Sequence, residues 1–425
     1  MNRPTPINPY QLCLFTAAVV ILTLSYRRFF TSNIDMLALS VHDDSFYYLL
    51  PAFNFSRYGF FTFDGIHPTY GFQPLYAIAL AAINCCVGSL HNLLRCALFF
   101  NAVIFVSTSF LLYSSLKKAL HDKPEWIQNI AGIFGALCFL MNVPVFLSFI
   151  TVKENALACF LLAIIVDIFF QIKENTSKRL IALPLLFGTF SGLLLLTRLL
   201  PSTVFILFVL FFSLRRWSQL NIYAIAGLLT PVFAWGAYAY YSFGRLIPTS
   251  SSIKAGFLTV FAQTPEAGWA TSPLLVPFEY LYQAARFSVG IPSKFHYILQ
   301  PNGWILDGAP TTLGFHTIFM CVGLFSVLIA AGSWKKLHTG DLLIPLLLFP
   351  SALGLFITPF LIKAKDLYYF TWYIYDQPYL LPFTFALAFA LLLQNITPHY
   401  PRITQNIIAY YKNFSLYFSV LFVLL

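Results

Sequence analysis

The chain has 425 residues, 59% of them hydrophobic and 9% charged, with a mean hydropathy of +0.76. Soluble domains carry roughly a quarter charged residues, so this balance points to a polytopic α-helical membrane protein. The net charge of +10 arises from bases scattered singly or in pairs between apolar runs, and no Walker loop, GxGxxG or basic tract accompanies them. This argues against a nucleic-acid binder and against a nucleotide-powered pump.

A helix needs about 20 apolar residues to cross a bilayer core of roughly 30 Å. In chain order, crossings are expected over 10–29, 93–116, 128–150, 155–172, 181–197, 200–214, 220–243, 313–333, 341–360, 377–395 and 405–425. The run over 74–88 is shorter and is read as lying along the interface. The N-terminal run follows one Arg and lacks a small-residue cleavage site, so it reads as a retained first helix. Seven cysteines (Cys13, Cys85, Cys86, Cys96, Cys138, Cys159 and Cys321) all sit in apolar stretches without CxxC spacing, as small hydrophobes would.

With 74–88 not crossing, the basic clusters all fall on one side. They are Lys117/Lys118/Lys123, Lys173/Lys178/Arg179, Arg215/Arg216 and Lys335/Lys336. The positive-inside rule makes that side cytoplasmic, although Arg27/Arg28 count locally against it. The chain is then one integral membrane domain over 1–425. Its extracytoplasmic face carries a first loop over 30–92, a second large loop over 244–312, segment 361–376, and the turns at Lys153-Glu154 and Arg198.

Two adjacent carboxylates, Asp43 and Asp44, stand in the first loop just beyond helix one. Charge beside a bilayer is expensive, so the pair reads as a site. A carboxylate there suits the removal of a proton from a hydroxyl nucleophile. The competing reading is a helix N-cap, for which one Asp suffices. The segment 43–55 is expected to form an interfacial helix with the pair at its start. Asp64-Gly65 signals a turn that would bring His67 and Gln73 towards the pair.

Lys153 and Glu154 break two apolar runs at a short turn and are candidate substrate contacts, with Glu154 the candidate third carboxylate; a solvated turn is the plainer alternative. Asp43, Asp44 and Glu154 would also suit a shared divalent cation, while no other cofactor is indicated. Arg198 interrupts GLLLLTRLLPS without a counter-charge in its own segment, and Lys254, Lys363 and Lys365 stand at membrane exits. These cations suit a lipid-phosphate head group; interfacial anchoring is the plainer alternative. Trp269, Trp304, Trp372 and Tyr373 suit stacking on a sugar face, and an interfacial aromatic belt equally. N-x-S/T sequons occur at Asn54, Asn175, Asn395 and Asn413.

The segment DDSFYYLLPAFNFSRYGFFTFDGIHPTYGFQPLY resembles the first outer loop of glycosyltransferases of the GT-C fold, with its acidic pair, aromatic run and later G-[FY]-x-P-L element. Glu154 opening ENALACFLLAI, the GLLLLTR run, FGRLIPTSSSIK and TWYIYDQPYLLP extend the resemblance to positions 43–382. The resemblance implies an all-α, GT-C-like bundle of about eleven transmembrane helices, with interfacial helices in its first outer loop. It also implies inverting transfer of a sugar from a polyprenyl phosphate on the extracytoplasmic face, with a loop carboxylate as base. The arrangement of loops is similar to protein O-mannosyltransferases and aminoarabinose transferase-like enzymes. No soluble acceptor-binding module stands between helices seven and eight, TRLLPS departs from the TRP-plus-acid pattern of many relatives, and the DxD spacing of oligosaccharyltransferases is absent. The resemblance further implies a sugar-building role in the cell envelope, with a lipid, glycan or protein acceptor; a bacterial inner membrane is favoured, and an endoplasmic reticulum membrane also satisfies the argument. A transporter or flippase of lipid-linked glycans and an O-antigen-type polymerase are the alternatives.

Overall fold

The computed structural model describes residues 9–41, 43–174, 181–198, 207, 218–246 and 380–396. Helix α1 runs over Pro9–Thr31 and the short α2 over Ile34–Ser40. A 3₁₀ turn over Asp43–Ser45 leads into α3, Phe46–Tyr58, which Gly59 ends in the left-handed conformation with φ 78°. After a loop come α4 (Pro74–Val87) and α5 (Leu90–Ala119). Then follow α6 (Glu125–Leu140), α7 (Val143–Phe149), α8 (Asn155–Glu174) and α9 (Ala182–Thr197). The last described helices are α10 (Ser218–Phe243) and α11 (Leu380–Ile396).

Among the described residues, four helices (α1, α5, α8 and α10) are long and apolar enough to cross a membrane, and α4, α6 and α9 are shorter apolar helices. The chain is an integral membrane protein. The expected crossings over 313–333, 341–360 and 405–425 lie outside the described residues, as does 200–214 apart from residue 207. The one expected over 128–150 is two helices. Met141 ends α6, and the Asn142 side chain accepts from the Val145 N–H at 3.2 Å to open α7. Pro144 in the first turn of α7 lacks an N–H to continue the earlier ladder, so an Asn-Val-Pro sequence restarts the helix inside an apolar run.

Helix α8 is the centre of the described bundle, with 83% of its apolar window buried against 22% for α10. It packs on α5 and α9, while α5 also packs on α6 and α1. Helices α9 and α10 approach backbone to backbone. A Cβ on Gly188 would meet the carbonyl oxygen of Ala224, and one on Gly192 the carbonyl of Leu228. Small residues four apart are what allows such contact without a water-driven hydrophobic force.

Polar groups tie the helix ends. The Arg95 guanidinium on α5 donates to Phe29 O at 2.6 Å and Ser32 O at 2.9 Å, satisfying carbonyls that the end of α1 leaves open. Asn101, fully buried on α5, donates to Phe149 O at 2.7 Å and to the Tyr76 hydroxyl at 2.9 Å, joining α7 and α4. Near the C-terminal ends of α5 and α8, Lys118 Nζ holds both oxygens of Asp167 at 2.7 Å. Gln171 and Ser115 donate to the same carboxylate.

Candidate active site

The acidic pair lies at the start of α3, with Asp43 and Asp44 forming the 3₁₀ turn ahead of it. Asp43 is exposed, and its Oδ1 accepts from the Asp44 backbone N–H at 2.8 Å. Asp44 is half-exposed, and its Oδ2 accepts from Lys153 Nζ at 2.9 Å. Lys153 is buried, with only 5% of its side chain exposed. Burial draws its ammonium below the usual lysine range, while Asp44, Glu154 and Asp43 act to hold the charged form.

Lys153 reaches this position from the turn between α7 and α8, and the turn is strained. Val152 has φ 55° and is fully buried. A β-branched residue in the left-handed region is an outlier costing on the order of 1–3 kcal/mol. The two residues flanking it account for the strain. Thr151 O accepts from the buried Ser45 hydroxyl, and Lys153 donates to Asp44. Both neighbours of Val152 therefore grip the same 3₁₀ turn from one reversal of the backbone.

Glu154 opens α8, its carbonyl accepting from Ala158 N at 2.9 Å. Its carboxylate accepts from the hydroxyl of Tyr48 on α3, which in turn accepts from the backbone N–H of Gln73. Burial first, then the charge and hydrogen bond of Glu154, push the Tyr48 hydroxyl well above its ordinary value, so it stays a donor. Arg198 caps α9 in extended conformation and is 4% exposed. Its guanidinium donates to Asn155 Oδ1 and lies 3.7 Å from Glu154 Oε1. Two polar groups stand side by side on consecutive residues of the turn: Asp44 with Lys153, and Glu154 with Tyr48 and Arg198, Arg198 in turn holding Asn155.

The structure thus brings together Asp43, Asp44, Lys153, Glu154 and Arg198, and sets Gln73 against Tyr48 by its backbone. His67 is engaged by a partner in its own loop. Its ring Nδ1 lies 2.7 Å from Asp64 Oδ2, and its side chain is 80% exposed. Asp64 Oδ1 also accepts from Thr62 Oγ1 and from the N–H groups of Ile66 and His67, which close the turn. These donors, with His67 foremost, hold the Asp64 carboxyl well below the usual range. Asn54 anchors the loop from inside, donating to the carbonyls of Thr62 at 2.9 Å and Phe63 at 3.2 Å. Lys254, Lys363, Lys365, Trp372 and Tyr373 lie outside the described residues, as do Trp269 and Trp304.

Sequence reasoning missed Tyr48, Asn155, Ser45 and Val152. Tyr48 had a usable signal, since it stands four residues after Asp44 and such pairs share a helix face. Among 24 tyrosines it carried no other mark. The shared-cation reading of Asp43, Asp44 and Glu154 fits poorly. Among the described residues no three His, Cys, Asp or Glu side chains form a group that could hold a metal ion. The Lys153 ammonium already lies on the Asp44 carboxylate.

No family model matches the chain, and no curated protein matches it. Among solved structures it is similar to the oligosaccharyltransferase of Archaeoglobus fulgidus in its apo form. The TM-score is 0.53 at 16% identity, covering 97% of this chain and 54% of that one. A second structure, the archaeal oligosaccharyltransferase AglB from Archaeoglobus fulgidus with an inhibitory peptide and a dolichol-phosphate, matches at a TM-score of 0.49 and 15% identity, covering 98% of this chain and 54% of that one. The chain spans about half the length of these proteins, 54% in each case. At such identity the likeness is one of fold alone: an all-α membrane fold like that of the Archaeoglobus fulgidus oligosaccharyltransferase.

Proposed function

We propose that this chain is an integral-membrane glycosyltransferase that moves a sugar from a polyprenyl-phosphate donor to an extracytoplasmic acceptor with inversion. The observation that carries the reading is the polar group at the start of α3. An exposed carboxylate, Asp43, stands beside a second one, Asp44, that a buried lysine holds in place. The GT-C-like fold supports it, as does the name of the similar protein, an oligosaccharyltransferase. The positive-inside distribution of bases supports the extracytoplasmic assignment of this end.

In this reading Asp43 is the base. It takes the proton of the acceptor hydroxyl as that oxygen attacks the anomeric carbon. The bond from carbon to the phosphate oxygen breaks, and its electron pair leaves with the phosphate. Asp44, fixed by Lys153, orients the acceptor. Glu154, Tyr48 and Arg198 hold the wall of the site, and buried donors there cost no reorganisation during reaction. On sequence position, Lys254, Lys363 and Lys365 are assigned to the departing phosphate, and Trp372 and Tyr373 to the sugar. The acceptor is a lipid, glycan or protein, and the setting is a bacterial inner membrane.

The test is transfer of labelled sugar from a polyprenyl-phosphate sugar by the purified full chain, with membrane extract as acceptor source. A positioned base contributes typically 10²–10⁴-fold, so Asp43→Asn should lower turnover by about that factor. Near wild-type turnover in Asp43→Asn would remove Asp43 as base. Absence of any glycosidic product, with lipid-linked sugar moved across proteoliposomes, would overturn the enzyme reading.

A further inference from the structure

We propose that Asn155 is a substrate contact, its side-chain Nδ2 donating to a sugar hydroxyl whose own proton goes to the Glu154 carboxylate. The assignment rests on the glycosyltransferase reading above and names the ligand group that this part of the site takes.

Asn155 is the first residue of α8 and is 2% exposed. Its Oδ1 accepts from Arg198 Nη1, which fixes the amide and makes its other end a donor. Among the described residues that Nδ2 donates to nothing. One other buried side-chain polar atom among the described residues shares this condition, Asn84 Oδ1 on α4, away from the acidic pair and Glu154. Buried donors without an acceptor are rare and cost stability, so one kept beside a charged pair calls for an explanation.

The neighbours of Asn155 select the ligand. Arg198 Nη1 also lies 3.7 Å from Glu154 Oε1, so one positive and one negative charge face each other and the group is neutral. A neutral ligand oxygen enters such a group at less electrostatic cost than a second anion. Glu154 is the most open of the three residues, with 16% of its side chain exposed, so a ligand meets the group there first. A hydroxyl is the neutral group that serves both neighbours, donating its one proton to the carboxylate and accepting from the amide. A carbonyl would serve Asn155 alone. The hydroxyl belongs to the transferred sugar or to a sugar of the acceptor.

Asn155→Asp tests the donor by itself. It keeps an oxygen for Arg198 and sets a second carboxylate where the amide N–H stood, and a hydroxyl bonded to Glu154 has no second proton for it. A residue that merely holds Arg198 tolerates this change. The full chain with Asn155→Asp should elute as a folded monodisperse particle and resist SDS as the wild type does, yet show one KM raised about tenfold in the transfer assay. A raised KM for the polyprenyl-phosphate sugar puts the hydroxyl on the transferred sugar; a raised KM for the acceptor puts it there. Adding Glu154→Gln returns one donor and one acceptor in exchanged places and should recover most of the loss, and no recovery would overturn the pairing. Both KM values within about twofold of wild type would overturn the proposal, whatever happens to kcat. So would an Asn155→Asp chain that aggregates, because the fold would then need Nδ2 itself. If the wild-type chain transfers no sugar, the glycosyltransferase reading fails and binding in nanodiscs decides the contact. The probes are polyprenyl phosphates carrying glucose, mannose or arabinose, each against bare polyprenyl phosphate. At least one sugar should tighten wild-type binding about fivefold, a gain that Asn155→Asp erases; no gain from any of them would sink the contact.

Discussion

Arg198→Met is the sharpest perturbation of the polar wall. Arg198 is 4% exposed and donates to Asn155 Oδ1, with Glu154 Oε1 at 3.7 Å. A hydrogen bond from a charged group contributes about 1.5–3 kcal/mol, and removing one partner of a buried ion pair costs about 3–5 kcal/mol. Glu154 keeps 16% of its side chain exposed and retains the Tyr48 hydroxyl, which relieves part of its isolation. The expected loss is therefore near the lower bound, about 3 kcal/mol. Glu154→Gln should cost less, about 1–2 kcal/mol, because an amide oxygen still accepts from Tyr48. The double variant should lose less than the sum by at least about 1 kcal/mol, since each single change strands the other's partner. Unfolding by SDS titration in mixed micelles measures all three. Additivity within about 0.5 kcal/mol would refute the coupling and make Arg198 a helix-end anchor that ignores Glu154.

Three further outcomes follow from other parts of the fold. Asp167→Ala should destabilise by about 3 kcal/mol in the same titration, since it strips Lys118 of its partner, yet leave turnover per folded molecule unchanged. Asn54 should stay unmodified when the chain is made in a glycosylating host, as peptide mass spectrometry would show, because its amide is buried and donates to Thr62 and Phe63. Lys153 binds its proton less tightly in the folded chain than in the unfolded one. Stability should therefore rise with pH between that lowered value and the unfolded value of 10.5, then level off, and Lys153→Met should flatten this rise in alkaline unfolding curves.

The helices were legible wherever an apolar run was long, and so was the acidic pair, because charge is rare in this chain. The break between α6 and α7 was not, since Asn142 and Pro144 sit within a run whose mean hydropathy never falls enough to mark an end. Asp64-Gly65 was read as a turn and is one, with Gly65 at φ 79°. The expected destination of His67 was the acidic pair, but a carboxylate three residues away is closer than any distant one, and Asp64 takes the ring. Lys153 was read as a candidate substrate contact or a solvated turn residue, and in the structure its ammonium meets Asp44. Which anion a lysine serves depends on a backbone reversal, here at Val152, and hydropathy carries no trace of a positive φ.

The α5–α8 core has a lysine–carboxylate pair near each end, and their opposite exposures explain their different roles. In the pair between Lys118 and Asp167 the carboxylate is the closed member, with 9% of its side chain exposed against 21% for the lysine. Lys118, Gln171 and Ser115 fill its oxygens, so a substrate finds no unmet acceptor there. In the pair between Lys153 and Asp44 the order is reversed, with the lysine at 5% and the carboxylate at 47%. A buried cation behind an open carboxylate fixes the acid's position while leaving a face of it turned to solvent. Stability alone would favour the first arrangement at both ends, because a half-exposed ion pair contributes little and burying Lys153 costs desolvation. The second arrangement, kept together with a strained Val152, is what a site needs when its carboxylate must stay charged, fixed and reachable by an incoming hydroxyl.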